Sequence, residues 1–323
     1  MPGVRPGAYL FCDTVIPKHI VDDVNRSLRE SLKNNDPLTD KILNHILEKQ
    51  GKCVRPGFMA LVAELVDGTW ETVRNAAVAV EAIHLASLLH DDVVDGSELR
   101  RGAVTLNMRH SDKMAVLFGD HIVLCAFMMA MEFGKTEVVS LIVRTVRDMI
   151  GGEIQGLFDG NLPDEKKYLA TVEKKTSSLF SGAGEIAILL AGGGDREREW
   201  VDELGGYVGL AFQIVDDALD YTGDRVSMGK PTLRDFIAGN MTLPLIYSLR
   251  EMTGEEKKRF LDDDRLSPEE LRSFVQAQGG IDYAFKSARK YTDRAKSVVA
   301  RFENDAAAKK FDDFFDMLLG RCA

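Results

Sequence analysis

The chain has 323 residues, 45% of them hydrophobic, which is enough for a substantial core in one large domain or two ordinary ones. Its 51 acidic and 41 basic residues leave a net charge of −10, and that balance argues against the basic face of a general nucleic-acid binder. Cys12, Cys53, Cys125 and Cys322 are scattered with no CxxC pair, so neither a zinc site nor a disulfide framework is indicated, and a reduced, cytoplasmic setting is expected.

The first residues, "MPGVRPGAYLFCDTVIPKH", lack the charged-then-apolar design of a signal peptide. Beyond them the periodicity is helical nearly throughout. Ile20, Val21, Val24, Leu28 and Leu32 recur at helix spacing, as do Leu38, Ile42, Leu43, Ile46 and Leu47. Residues 70–95, 112–133, 137–158, 165–191 and 196–222 each read as a long apolar-striped helix, separated by breaks at Gly68, Gly134, Gly160 and the "GGGD" of Gly192 to Asp195. "TGEE" at Thr253 and "SPEEL" at Ser267 mark two further helix starts with capping boxes. The richest apolar run, "MAVLFGDHIVLCAFMMAM", is broken by Gly119, Asp120 and His121, so no transmembrane segment is expected, although contact with a membrane surface at product release is compatible with the composition. No alternating strand pattern, linker or solenoid repeat is found. The expected fold is all-α: residues 1–323 as a single large helical bundle of roughly ten or more helices.

Two stretches do not suit a helix interior. "LLHDDVVDGSELRRG" places Asp91, Asp92 and Asp95 after an apolar run, and "FQIVDDALDYTGD" repeats the spacing with Asp216, Asp217 and Asp220. Residues four apart share a helix face, so the outer members of each trio gather on one side. Both trios sit near the C-terminal end of their helix, where the macrodipole disfavours carboxylates. A rule broken twice in the same way points to a function. Hard oxygen ligands on rigid helices suit magnesium, which binds through one or two carboxylates plus substrate phosphates. Two facing clusters could hold a diphosphate through bridging metal ions. Cations accompany the acids: Lys52 and Arg55 in "GKCVRPG", Arg100 and Arg101 after the first trio, Lys174, Lys175 and Thr176 in a later helix, and Lys230 in "MGKPT". In an acidic protein this set suits phosphate groups. His84 lies two turns before Asp91; alone it would read as a core residue, and only its company suggests a ligand.

These residues resemble the trans-type polyprenyl diphosphate synthases, with a match from about Lys41 to about Leu249. The GKxxRP loop (Gly51 to Pro56), "LLHDDVVDGSELRRG", "KKT" at Lys174 to Thr176, "FQIVDDALD" and "GKPTLRDFIAGNMTLPL" carry it, in that order. One DDxxD is a weak signal; two, with the RRG and the basic loop, are specific. The resemblance implies the isoprenoid synthase-like helical fold with a central substrate cavity, a homodimer, and a magnesium-dependent head-to-tail condensation of isopentenyl diphosphate with an allylic diphosphate. It makes Asp91, Asp92, Asp95, Asp216, Asp217, Asp220 and Lys175 catalytic, with Asp91, Asp95 and Asp216 as metal ligands. It assigns Arg100, Lys175, Thr176, Gln213 and Lys230 to the allylic diphosphate, and Lys52, Arg55, His84 and Arg101 to isopentenyl diphosphate. The pattern departs from the family at Cys53, where Arg is common, and at Gly239-Asn240, where many members carry Gly-Lys.

Other classes fit less well. A catalytically silent partner subunit would have lost aspartates. A terpene cyclase or head-to-head synthase would not need Lys52, Arg55 and Arg101. A phosphohydrolase would need metal-binding histidines that His19, His45, His110 and His121 do not supply. A helical scaffold would need neither acid cluster. A short-chain synthase and the catalytic chain of a heteromeric long-chain synthase are the alternatives within the family. Ala76, Ala77, Ala79, Ala82, Ala86 and Ser87 line up before Asp91. Ala is the best helix former and permits close packing, but the same run would leave a product tunnel open. By the resemblance, small residues near Ala86 go with long products, heptaprenyl to decaprenyl, with the tunnel floor set by Phe127, Met128, Met131 or Phe133.

Overall fold

A computed structural model describes residues 15–34, 36–48, 51–159, 164–222, 240–261 and 266–320. Lys230, Gly239, Gly160, Cys12 and Cys322 lie outside the described residues. In chain order the helices are α1 (Lys18–Ser31), α2 (Pro37–Ile46), α3 (Val54–Glu64), α4 (Trp70–Val94), α5 (Leu106–Arg109), α6 (Asp112–Met131), α7 (Thr136–Asp159), α8 (Glu165–Val172), α9 (Ser178–Ala191), α10 (Asp195–Thr222), α11 (Leu243–Ser248), α12 (Gly254–Leu261), α13 (Pro268–Ala277), α14 (Gly280–Val299) and α15 (Asp305–Gly320). The expected starts are seen. The Ser267 hydroxyl accepts from the Glu270 N–H while the Glu270 side chain accepts from the Ser267 N–H, and Thr253 and Glu256 make the same exchange.

Two elements differ from the sequence reading. Residues 165–191 are not one helix: a π-helical turn, Glu173–Ser177, joins α8 to α9. The apolar stripe continues through it, so periodicity alone does not reveal the wider turn. A two-stranded hairpin, Leu99–Arg100 with Ala103–Val104, follows the first aspartate motif; strands of two residues are too short to show alternation. Arg101 and Gly102 form its turn, both with positive φ (52° and 75°), the geometry of a tight type I′ connection.

Helix α4 is enclosed. Residues 76–83 are buried without interruption, as expected of a helix that is apolar all round. It packs against α1, α3, α6 and α9. Helix α9 in turn meets α3, α4, α7 and α10. At Gly209 an added Cβ would lie 2.3 Å from the Ser177 Cα, so glycine lets α10 come directly against the π turn. Phe58 on α3 is fully buried against Phe180 of α9, edge-on at 5.6 Å, and against Phe311 and Phe314 of α15. Each such ring contributes about 1.5–3 kcal/mol by leaving water. This clamp fixes the start of α3, one turn before Phe58, where Arg55 sits.

By length and composition α6 is apolar enough to cross a membrane, a property that helices of soluble bundles share. Its inner stripe, Ala115, Phe118, Ile122, Ala126 and Ala130, is buried, and α4 and α7 are its main neighbours.

Candidate active site

The two aspartate motifs face one cavity of about 630 Å³, walled by α3, α4, α6, α7, the π turn and α10. Asp91 and Asp95 line it from α4 and the residue that caps it; Asp216 and Asp220 line it from α10. The spacing explains the selection: first and fourth-following residues share a face, and the middle one is rotated away. Asp92 and Asp217 are correspondingly buried. Asp92 accepts from Arg100 Nε at 2.8 Å, and Asp217 accepts from the Tyr168 hydroxyl at 2.6 Å and from Gln213 Nε2 at 2.7 Å. The structure thus places Asp92 and Asp217 behind the cavity wall, where they brace the two motifs.

Lys175 reaches into the cavity from the π turn. Its Nζ lies 3.5 Å from Asp91 Oδ1 and pairs with Glu153 of α7. Burial alone would depress its pKa, but Asp91, Glu153 and Asp95 outweigh burial and push it well above the ordinary lysine value. It stays charged beside the acids. The π turn separates neighbours of like type: Lys174 points elsewhere and donates to Gln155 Oε1 at 2.8 Å. Thr176 donates to Gln213 Oε1 at 2.9 Å, so Thr176, Gln213, Asp217 and Tyr168 form one hydrogen-bonded chain behind the second motif.

The remaining cations divide. Arg55, Arg100 and His84 line the cavity, whereas Lys52 and Arg101 lie beyond its wall at the α3 end. The buried Arg55 guanidinium rests 5.0 Å from the Phe180 ring centroid and 5.7 Å from that of Phe212, a cation–π contact that holds it without neutralising it. Burial, reinforced by Arg55, Arg101 and Arg100, holds the His84 pKa well below 6.5, so its imidazole is neutral. Lys230 lies outside the described residues.

Magnesium suits these donors. Among the described residues no three acidic, histidine or cysteine side chains converge as a ready-made metal cage. Paired carboxylates on facing helices, with a phosphate-sized space between them, are nevertheless how this ion is usually held. Asp91 and Asp95 on one side and Asp216 and Asp220 on the other would supply the protein's oxygens.

The cavity turns apolar below the acids. Ile83, Ser87 and Leu88 of α4 face Val123 and Leu124 of α6 and Val146, Met149 and Ile150 of α7. This corrects the tunnel expectation at Ala86. Five residues before Asp91, Ala86 is turned well off the motif's face, and it is fully buried in the core, as are Ala76, Ala77, Ala79 and Ala82. The alanine run serves the enclosure of α4; Ser87 is the wall residue. Nor do Phe127, Met128, Met131 or Phe133 reach the wall: Phe127 and Phe133 pack against the core, and Met128 and Met131 are exposed. Glu153 and Tyr168 are missing from the sequence reading. Glu153 had a signal, a lone acid in the stripe "MIGGEIQGLF"; Tyr168 had none.

Comparison with known proteins agrees with this geometry. Residues 36–277 match the family model for polyprenyl synthetases. The octaprenyl diphosphate synthase of Haemophilus influenzae is 31% identical over 283 residues, 85% of this chain and 86% of that protein. Component 2 of the heptaprenyl diphosphate synthase of Geobacillus stearothermophilus is 32% identical over 80% of this chain and 82% of that one. The crystal structure of a polyprenyl synthase from Caulobacter crescentus, complexed with calcium and isoprenyl diphosphate, superposes with a TM-score of 0.89 at 29% identity, over 97% of this chain and 98% of that one. The chain thus has the isoprenoid synthase helical fold and belongs to the polyprenyl synthetase family, as a prenyltransferase that condenses isopentenyl diphosphate into polyprenyl diphosphate.

Proposed function

We propose that the chain makes a long all-trans polyprenyl diphosphate, working as one helical unit with magnesium in a reduced, cytoplasmic setting. The observation that carries the long product is the apolar wall below Asp91, where Ser87 is small and, among the described residues, the aromatic side chain that lines the cavity, Phe212, belongs to α10 across from it, beside Arg55. The allylic diphosphate lies between Asp91 and Asp95 on one side and Asp216 and Asp220 on the other, with Lys175, Thr176 and Arg100 against its oxygens. Bound magnesium would neutralise the charge that builds on the departing diphosphate. Lys52, Arg55, His84 and Arg101 hold the diphosphate of isopentenyl diphosphate, with neutral His84 free to donate one hydrogen bond. The allylic C–O bond breaks, the double bond of isopentenyl diphosphate forms the new C–C bond, and a proton is lost to give the trans alkene. Each cycle drives the tail deeper between α4, α6 and α7.

The second copy implied by the resemblance has a surface to use. Leu117, Met128 and Met131 of α6 and Ile154 of α7 are exposed large hydrophobics that do not line the cavity. Those on α6 recur at helix spacing as one stripe. A face of this kind marks an association site, and the net charge of −10 disfavours an anionic membrane as its cover. We assign it to a homodimer. Sedimentation of the protein and of a Leu117→Glu, Met128→Glu variant tests the dimer: both sedimenting alike as monomers refutes it. The activity is tested by incubating the protein with magnesium, farnesyl diphosphate and labelled isopentenyl diphosphate and sizing the products. Products that stop at farnesyl or geranylgeranyl length reject the long-chain reading. Turnover that appears only after a second, different chain is added favours the heteromeric alternative.

A further inference from the structure

Glu81 sits in the middle of α4, three residues before His84, and is buried at 7% exposure. A carboxylate there has no place in a core helix unless charge is nearby. The charge is that of Arg55 and Arg101, which come from separate elements: one from the first turn of α3, the other from the turn of the β hairpin. Gly51 shows how tightly they close. A Cβ at Gly51 would lie 3.1 Å from Glu81 Oε1 and 3.3 and 3.4 Å from the two terminal nitrogens of Arg101. Carboxylate and guanidinium therefore press on the same point of the loop that carries Lys52.

Both cationic segments are held in unusual backbone. Cys53, between Lys52 and α3, has φ 48°, and Arg101 itself has φ 52°. Non-glycine residues in this region cost roughly 1–3 kcal/mol each and persist where surrounding contacts impose them. Arg101 is also repelled by its neighbour Arg100. Some group must offset both effects, and Glu81 is the acid placed to do so.

We propose that Glu81 is a positioning residue: its buried carboxylate holds Arg101 and Arg55 at the separation that one diphosphate of isopentenyl diphosphate bridges. The proposal rests on the assignment of Lys52, Arg55 and Arg101 to that substrate. The electrostatics agree. Burial pushes the Glu81 carboxyl up, opposed by Arg55 and then Arg101. Burial depresses Arg101, and Glu81 is the largest influence restoring it.

The test is steady-state kinetics of Glu81→Gln, Glu81→Asp, Arg101→Ala and the Glu81→Gln, Arg101→Ala double variant, each substrate varied in turn. Glu81→Gln keeps the shape and removes the charge. The expected result is a rise in KM for isopentenyl diphosphate of at least about tenfold, with the allylic KM changed less than about twofold. Glu81→Asp should recover part of the loss. The double variant should be little worse than Arg101→Ala alone, because both changes break the same arrangement. A merely structural role would instead lower both affinities together and add to the Arg101 effect. An unchanged or lowered KM in Glu81→Gln overturns the proposal, since a simple counter-charge would only weaken binding of an anion while present. If Glu81→Gln does not fold, Glu81→Asp carries the test, with a selective rise in the same KM expected and equal rises in both overturning it. Should Arg101→Ala leave that KM unchanged, the substrate assignment fails; Glu81 failing while Arg101→Ala behaves as expected removes only the positioning role.

Discussion

Replacing Ser87 and Ala86 separately by Phe puts the cavity wall to a direct test, because adjacent residues face opposite environments. Ser87 is four residues before Asp91, about 6 Å along the axis at 1.5 Å per residue. One isoprene unit adds four main-chain bonds of about 1.5 Å, roughly 5 Å of extended chain once the zigzag is allowed for. A phenyl ring from Ser87 would therefore close the cavity about one or two isoprene units below the diphosphate. The Ser87 hydroxyl donates to the His84 carbonyl at 2.8 Å, and losing that bond costs only about 1 kcal/mol. Ala86 is fully buried, so its Phe variant overpacks the core at a cost of about 1–3 kcal/mol or more and leaves the wall alone. With dimethylallyl diphosphate as starter, Ser87→Phe should keep its first condensation and stop at geranyl length, or at most farnesyl. Ala86→Phe should lose thermal stability and, where it folds, make products of wild-type length. Thin-layer or mass analysis of dephosphorylated products, alongside thermal melts, reads both. The reverse pattern, with shortening by Ala86→Phe and wild-type lengths from Ser87→Phe, would show that the tunnel runs on the other side of α4.

Asp91→Ala and Asp216→Ala should each lower kcat by about 10²–10³-fold, as expected when a group stabilising about 3–4 kcal/mol of developing charge is lost, without lowering the melting temperature; near-wild-type turnover in either would defeat the metal assignment. Arg101→Gly should relieve its left-handed backbone by about 1 kcal/mol but takes one counter-charge from the buried Glu81, so stability should be unchanged or lowered while the KM for isopentenyl diphosphate rises; an unchanged KM would defeat the substrate assignment. His84 is neutral in the folded protein at pH values where the unfolded chain, titrating near 6.5, takes up a proton. Its contribution is thus present above about pH 6.5 and lost as pH falls below it, by up to about 1.4 kcal/mol per pH unit. Denaturant unfolding at pH 7.5 and 5.5 should show a smaller loss for His84→Gln than for wild type, and equal losses would contradict a neutral His84.

Much of this arrangement was legible in the sequence because helices write their periodicity plainly. The bounds of α4, α6, α7 and α10 follow from apolar stripes and from punctuation at Gly68, Gly134 and Gly192. The aspartate spacing itself separates wall from support, since a rotation of 100° per residue turns Asp92 and Asp217 away from the faces of Asp91 and Asp216. Long-range contacts were hidden. Nothing near Tyr168 announces a bond to Asp217, 49 residues on. Glu81 in "AVAVEAIHLA" carries no local signal, because its partners come from the first turn of α3 and a hairpin distant in the chain. The alanines of α4 carried two meanings, close packing and an open tunnel, and only the orientation of Ala86 against Ser87 separates them.

The π turn has a counterpart across the helix interface. An added Cβ at Gly152 of α7 would lie 2.6 Å from the Lys175 backbone nitrogen and 2.8 Å from the Lys174 Cβ. The widened turn therefore occupies the volume that any side chain at position 152 would need. The two features can change only as a pair. A chain that loses the extra residue of the turn regains room for alanine at 152 but rotates Lys175 about 100° away from Asp91. A chain that acquires alanine at 152 first must push the turn outward and move the same lysine. Either single step passes through a protein with a misplaced cation, so substitutions at these positions are expected to be coupled in descent, though one is a glycine that touches no substrate.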